Sequence, residues 1–230
     1  MQFSCYVTGT DTGAGKTHAS CALLHAIRRL GRRAVGMKPV ASGARENRHG
    51  WVNQDALDLL GASSFAADYR LVNPVCLKAA TAPEIACRME KVQFGLPHLV
   101  SAWEELRAQA DDVVVEGVGG WCAPLSHELM QADLVRALDL PVVLVVGLRL
   151  GCINHALLTL AALQADGMRI AGWICNVIDP ELEFAEHYFE ALLRRIPVSC
   201  LGRLAWQAPA SLAELDLGPL GRLASPSAGP

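Results

Sequence analysis

Thr8-Gly-Thr-Asp-Thr-Gly-Ala-Gly-Lys-Thr17 decides how this chain is read. An apolar, strand-like run with Phe3, Cys5, Tyr6 and Val7 precedes it, and a helix-patterned segment with Ala19, Cys21, Leu23, Leu24 and Ile27 follows. Strand, glycine-rich turn, Lys-Thr and helix are the parts of a phosphate-binding loop. Glycines let backbone N–H groups close around phosphate oxygens, and the helix N-terminus adds partial positive charge. In such a loop Lys16 reaches the β- and γ-phosphates and the Thr17 hydroxyl ligates Mg²⁺. One feature departs from the G-x-x-x-x-G-K-[ST] spacing: Thr10 holds the first glycine position, and Gly9 stands one residue early. A chance Gly-Lys-Thr in a surface loop is the competing reading, and the flanking strand and helix argue against it. The chain is expected to handle a nucleoside triphosphate.

At 230 residues the sequence suits one α/β domain with a sizeable core. Hydrophobic residues make up 52% and the net charge is −3, which gives no broad attraction to nucleic acid or anionic lipid. The most apolar window, Leu140 to Leu148, spans about nine residues where a membrane helix needs roughly 20. With the first strand starting at once, a cytoplasmic location is the expectation. The eight cysteines, at 5, 21, 76, 87, 122, 152, 175 and 200, form no C-x-x-C pair. They read as small packing thiols rather than a disulfide frame or zinc site. Cys152 precedes a helix that would stabilise its thiolate, but packing is the favoured role.

Apolar runs alternate with helix-period segments, the pattern of a mostly parallel sheet flanked by helices. Strands are expected from Ala34 to Lys38-Pro39, and over Asp112–Glu116, Leu140–Gly147, Ile170–Asn176 and Val198–Leu201. Residues 43–52 are polar and read as a loop, Asn53 or Gln54 opens a helix, and 69–83 is irregular. A helical pair runs to about Ala110, and further helices are expected from His155 and over Glu181–Arg194. One domain is expected over residues 1–210, with an Ala/Gly/Pro/Ser/Leu-rich tail over 211–230 that is partly disordered at its end.

Ligands of open parallel sheets bind beyond the carboxyl ends of the strands. Those ends carry Thr8-Gly9, Lys38, Glu116-Gly117, Gly147 and Asn176. Glu116 follows three valines and is placed to bind Mg²⁺, and Gly117, Gly119 and Gly120 allow close approach of a ligand. Asp55 reads either as a helix-dipole acid or as a third oxygen ligand beside Thr17 and Glu116. Lys38 reads either as a solvated strand-end lysine or, with Lys16, as a clamp on a transferring phosphoryl group. For His18 and His155, helix-surface or capping roles suffice.

These residues together resemble the dethiobiotin synthetase family, ATP-dependent ligases of biotin biosynthesis. The resemblance rests on V-T-G-T-D-T-x-x-G-K-T at 7–17, K-P-V-A-S-G at 38–43, N-x-D-A-L at 53–57, V-E-G-x-G-G-W at 115–121, L-G-C-I-N-H-A at 150–156, and A-G-W at 171–173 with Asn176. It implies a P-loop NTPase-like fold and a reaction of 7,8-diaminononanoate, CO₂ and ATP through a carbamate and a carbamic–phosphoric anhydride. Mg²⁺ is the implied cofactor, ATP a co-substrate, and the assembly a homodimer that completes the pocket for the diamine's carboxylate.

By matching position, the family implies Lys38, Lys16 and Thr12 as catalytic residues. Thr12, Ser42, Gly151, Cys152, Ile153, Asn154 and Tyr188 would contact the diamine substrate, the turn at 151–154 and Tyr188 holding its carboxylate. Nucleotide binding would fall to Gly13, Ala14, Gly15, Lys16, Thr17, His18, Asp55, Glu116, Gly117, Val118, Gly119, Asn176, Val177, Ala205, Trp206 and Gln207. Thr17, Asp55 and Glu116 would hold the metal. Departures lie at the base-binding end: Val177 stands where many relatives carry Asp, and Ala205 where Pro is common. Trp206 reads either as a stacking surface for the base or as a buried residue at a sheet edge. A regulatory ATPase of the partition type shares the architecture, but its signature lysine position is Asp11 here. A small-molecule kinase and a non-catalytic nucleotide-binding module are the remaining readings.

Overall fold

The computed structural model describes residues 2–48 and 50–223. The chain opens with β1 (Cys5–Gly9), the phosphate-loop segment, α1 (Lys16–Arg29) and β2 (Ala34–Met37). Short elements follow: β3 (Val40–Ala41), β4 (Arg45–Asn47), β5 (Gly50–Val52), α2 (Gln54–Ala62), α3 (Tyr69–Val72) and β6 (Val75–Cys76). Then come α4 (Pro83–Glu90), α5 (Leu96–Arg107), β7 (Asp112–Glu116), α6 (Gln131–Leu138), β8 (Val142–Leu148) and α7 (Cys152–Ala165). The described chain closes with β9 (Ile170–Val177), α8 (Ala185–Arg195), β10 (Cys200–Leu204) and α9 (Gly218–Leu223).

Six strands form one sheet in the order β10-β9-β8-β1-β7-β2, and every pairing in it is parallel. Helices cover both faces, so β1, β7 and β8 are buried along their whole length and read as continuous apolar runs. Alternation distributes the side chains of one strand between two cores. Cys5 and Val7 pack with α1 through Leu23, Leu24 and Ile27. Tyr6 faces the other side, with Leu99, Trp103, Leu134 and Leu138 from α5 and α6. A third core joins Leu144, Val146 and Trp173 to α7 and α8. Because β1 pairs with β7 on one side and β8 on the other, the strand order reverses at β1. That reversal opens a crevice at the carboxyl edge, where the phosphate loop lies.

The mostly parallel sheet flanked by helices matches the sequence expectation, and several local features differ from it. Residues 43–52 contain an antiparallel hairpin of β4 and β5, with Glu46 opposite Trp51. Its strands are short and largely exposed, without a buried face to impose alternation; Trp51 instead lies under the Lys78 ammonium at 4.4 Å. The helix expected from Glu181 starts at Ala185, because Phe184 takes the left-handed conformation (φ 61°). The last strand is shifted to Cys200–Leu204, the register that buries Leu201 and Leu204.

Residues 211–223, assigned from composition to the tail, pack on the sheet. Leu217 and Leu220 are buried in the α1 core, and Asp216 N–H donates to the Leu201 carbonyl at 2.8 Å. The packed unit therefore runs past 210 to Leu223, held by apolar residues too few to show a period. The remainder of the expected tail, 224–230, lies outside the described residues. All eight cysteines are free thiols. Cys152 is buried in the α7–α8 core, and burial pushes its thiol up, which removes the helix-terminus thiolate reading.

Candidate active site

The turn between β1 and α1 is built on glycine geometry. Gly15 caps α1 in the left-handed region (φ 86°), and a Cβ there would meet Asn176 Nδ2 at 1.9 Å. Only glycine satisfies both conditions. Lys16, the first residue of α1, is buried and turns its ammonium back over the loop, donating to the carbonyls of Asp11 (3.1 Å) and Gly119 (2.7 Å). Thr17 Oγ1 donates to Glu116 Oε1 at 2.9 Å, joining α1 to the end of β7.

Lys38 follows β2 and is clamped through its backbone: its N–H donates to Val72 O at 2.7 Å, and Asn73 Nδ2 donates to its carbonyl at 2.7 Å. The side chain, 3% exposed, donates to Glu116 Oε1 (2.5 Å), Asp55 Oδ2 (2.9 Å) and the Gly117 carbonyl (3.1 Å). Lys38 is thus no solvated strand-end lysine. Asp55 lies in the first turn of α2, which Asn53 caps by accepting from Ala56 N–H at 3.3 Å. Asn53 also donates to the Ser42 carbonyl at 3.1 Å, tying the two segments that flank the Lys38 ammonium.

Two buried lysines therefore sit in opposite environments. Burial pushes the Lys16 ammonium down to about 8, and the nearby Lys38 charge works in the same direction. Burial also works against the Lys38 ammonium, but Glu116 and Asp55, by charge and hydrogen bonding, outweigh it and hold Lys38 above the ordinary lysine range. Burial would raise the Asp55 carboxyl; Lys38, with hydrogen bonds from Lys38 and Thr17, holds it below the usual range.

Both lysines open into one cavity of about 640 Å³. Thr12, Gly13, Gly15, Thr17, Ser42, Asp55, Glu116, Val118 and Gly119 line it too, which brings together most of the residues expected at the phosphate end. Asn53, Ala80, Thr81, Ala82, Pro83 and Ala123 line the same space and were not expected from the sequence. Thr81 and Pro83 come from the irregular stretch before α4 and its first turn; no local pattern marks such residues. Glu116 Oε2 is buried with no hydrogen-bond partner. A buried, unpartnered carboxylate oxygen beside a threonine hydroxyl and a second carboxylate suits a hard divalent cation, so Thr17, Asp55 and Glu116 fit Mg²⁺.

The remaining expected residues lie outside this cavity. Asn176, at the end of β9, donates to the Ala14 carbonyl at 3.1 Å, and its Oδ1 lies 3.0 Å from His18 Nδ1. His18 Nε2 lies 2.8 Å from the Ala208 carbonyl, so the histidine joins the phosphate loop to the segment after β10. Ala205, Trp206 and Gln207 are exposed there, and Trp206, at 45% exposure, is not the buried sheet-edge residue of one reading. Val177 ends β9, partly buried. Gly151 (φ 89°) caps α7, followed by Cys152, Ile153 and exposed Asn154; Tyr188 on α8 is partly buried against the same core.

A family model described as an AAA domain matches residues 4–212. An ATP-dependent dethiobiotin synthetase BioD of Xanthomonas campestris pv. campestris is 58% identical over 216 residues, which cover 94% of this chain and 96% of that protein. A protein of the same name from Xylella fastidiosa is 56% identical over 199 residues, covering 86% and 88% of the two chains. Among solved structures, a MinC:MinD cell division protein complex from Aquifex aeolicus is similar with a TM-score of 0.53 at 15% identity, covering 99% of this chain and 97% of that one. The signal recognition particle receptor FtsY from Elizabethkingia anophelis gives 0.52 at 14% identity, covering 97% and 65%. At such identities the structural likeness speaks for the fold alone. Among the described residues, no helix is long and apolar enough to cross a membrane.

Proposed function

The chain belongs to the ATP-dependent dethiobiotin synthetase family, and from that premise we propose that it closes the ureido ring of dethiobiotin from 7,8-diaminononanoate, CO₂ and ATP. One amine of the substrate adds to CO₂ and loses a proton, giving a carbamate. A carbamate oxygen attacks the γ-phosphorus, the bond to the β-phosphate oxygen breaks, and ADP leaves. The second amine then attacks the carbonyl carbon of the mixed anhydride and gives up a proton to solvent; phosphate departs and the ring closes.

The observation that carries this reading is the convergence of Lys16 and Lys38 on one cavity lined by Asp55 and Glu116. Two anions, carbamate and triphosphate, must approach each other, and two ammonium groups offset their repulsion. Lys16 and the backbone of Gly13 to Gly15 hold the phosphates, with Thr12 and Ser42 orienting the carbamate by hydrogen bonds. Lys38 serves the carbamate and the moving phosphoryl group. Thr17, Asp55 and Glu116 hold Mg²⁺, which when bound neutralises charge on the phosphates. The segment from Asn176 to Gln207 takes the nucleoside end, beside His18. Gly151 to Asn154, with Tyr188, takes the distal carboxylate at a homodimer interface, and the enzyme works in the cytoplasm.

The test is phosphate release with ATP, Mg²⁺, bicarbonate and the diamine, each omitted in turn. Release that requires the diamine and accompanies a product of dethiobiotin mass is the expected outcome. Release that ignores the diamine and requires DNA, lipid or a protein partner would replace this reading with a regulatory ATPase.

A further inference from the structure

We infer that Gln131 is the positioning residue for both lysines, acting through the Gly117–Ala123 loop; this inference rests on the two-lysine reading above. Gln131 opens α6 and is fully buried. Its Oε1 accepts from Tyr6 Oη at 2.7 Å and from the Val118 N–H at 3.2 Å. Its Nε2 donates to the carbonyls of Gly120 (2.6 Å), Trp121 (3.1 Å) and Ala123 (3.3 Å), two hydrogens shared among three acceptors. One carboxamide thus fixes four backbone groups of a segment without regular structure of its own.

That segment carries the carbonyls that hold the lysines. Gly117 O accepts from Lys38 and Gly119 O from Lys16, and the Val118 N–H fixed by Gln131 lies between them. The approach is close enough to demand glycine at 117, where a Cβ would lie 2.3 Å from Gln131 Oε1 and 2.7 Å from Tyr6 Oη. Gln131 does not line the cavity, and its side-chain hydrogen bonds go to Tyr6 and to the backbone of the loop. Its effect runs through the spacing and direction of two carbonyls, and hence the separation of the two ammonium groups. Carbonyls that lost their anchor would be free to turn, and both lysines would follow them.

Gln131→Leu keeps bulk and removes every polar contact. Its kcat for diamine-dependent turnover should fall by about 100-fold, the order of loss from misplacing a reacting group by ~1 Å. The KM for the diamine should stay within about threefold, and the fall in kcat should persist after normalisation to folded protein by titration of nucleotide-binding sites. Loss of folded protein alone would lower apparent kcat at constant KM and vanish on that normalisation. In a Lys38→Ala background the same substitution should cost less than about tenfold, because half of what it positions is gone. A crystal structure of Gln131→Leu should show the Gly117 and Gly119 carbonyls displaced. If that variant does not fold, the same measurements on the near-isosteric Gln131→Glu, where a neutral carboxyl supplies one donated hydrogen in place of two, should give an intermediate loss. Wild-type kcat, the full loss repeated without Lys38, or undisplaced carbonyls would each overturn the inference. A wild-type protein that ignores the diamine would defeat the proposed function alone, and the crystallographic comparison would still decide the role of Gln131.

Discussion

The two ends proposed for the substrate differ in how far one chain completes them. At the phosphate end, Lys16, Lys38 and Glu116 are all buried, and their contacts run between α1, β2, α2 and β7. At the carboxylate end, Asn154 is exposed and Tyr188 only partly buried, on the outer helices α7 and α8. Charges taken from water are tolerable only when partnered, so the phosphate end must be assembled by the fold itself. A carboxylate bound near solvent makes no such demand, and a second subunit can complete its pocket. The phosphate end should therefore govern rate, and the carboxylate end affinity for one substrate.

Lys38→Ala tests the first half of that contrast most severely. Removing it leaves Glu116 and Asp55 without their shared cation and the transferring group without a donor. A loss of about 10²–10³ in kcat is expected, the range for deleting one preorganised donor, while ADP binding measured by calorimetry should change far less. Near-wild-type turnover would remove Lys38 from the chemistry. Glu116→Gln comes next. It takes one carboxylate from the proposed metal site, so half-maximal activity should need about 10–100-fold more Mg²⁺, at least the cost of losing an outer-shell partner. An unchanged Mg²⁺ titration would argue against ligation.

A smaller effect separates the two lysines within the phosphate end. With its ammonium pushed down to about 8, Lys16 in the free protein loses its proton as the pH rises through that value. Binding a triphosphate requires the charged form, so above about pH 8 binding must take up a proton. Affinity for ATP should then fall by about tenfold for each further pH unit, and calorimetry in buffers of different ionisation enthalpy should register the uptake. Lys38→Met removes the neighbouring positive charge that helps to depress Lys16, so the break should move to higher pH. A break that stayed in place would show that burial alone sets it.

The same contrast explains what was legible in the sequence. Thr8 to Thr17 could be read because strand, turn and helix are contiguous, and each residue type has a local physical reason. Glu116 could be read because an acid directly after three valines is conspicuous. Asp55 and Lys38 could not be decided alone: an acid in a first helical turn and a lysine before proline both have ordinary local explanations. Their pairing, between residues 17 apart on separate elements, exists only in the fold. Gln131 gave no signal, since its partner Tyr6 is 125 residues away and a glutamine near a helix start needs no special reading. The hairpin at 45–52 is not legible because short strands with no buried face carry no alternation. The docking of the segment around α9 is not legible because two buried leucines, Leu217 and Leu220, are too few to show a period.

Tyr188→Phe probes the other end and should be the mildest change. If the phenol helps to hold the diamine's carboxylate, it supplies one hydrogen bond to a charged group close to solvent, worth about 1 kcal/mol or roughly fivefold in affinity. The KM for the diamine should rise by that factor, with kcat and the KM for ATP essentially unchanged. Asn154→Ala should behave alike. The pattern matters more than the size: a group that binds substrate and transition state equally alters KM alone, whereas the phosphate-end residues should alter kcat. If Tyr188→Phe instead lowered kcat, or raised both KM values equally, the carboxylate could not be bound on α8, and the division between a rate-setting end and an affinity-setting end would fail with it.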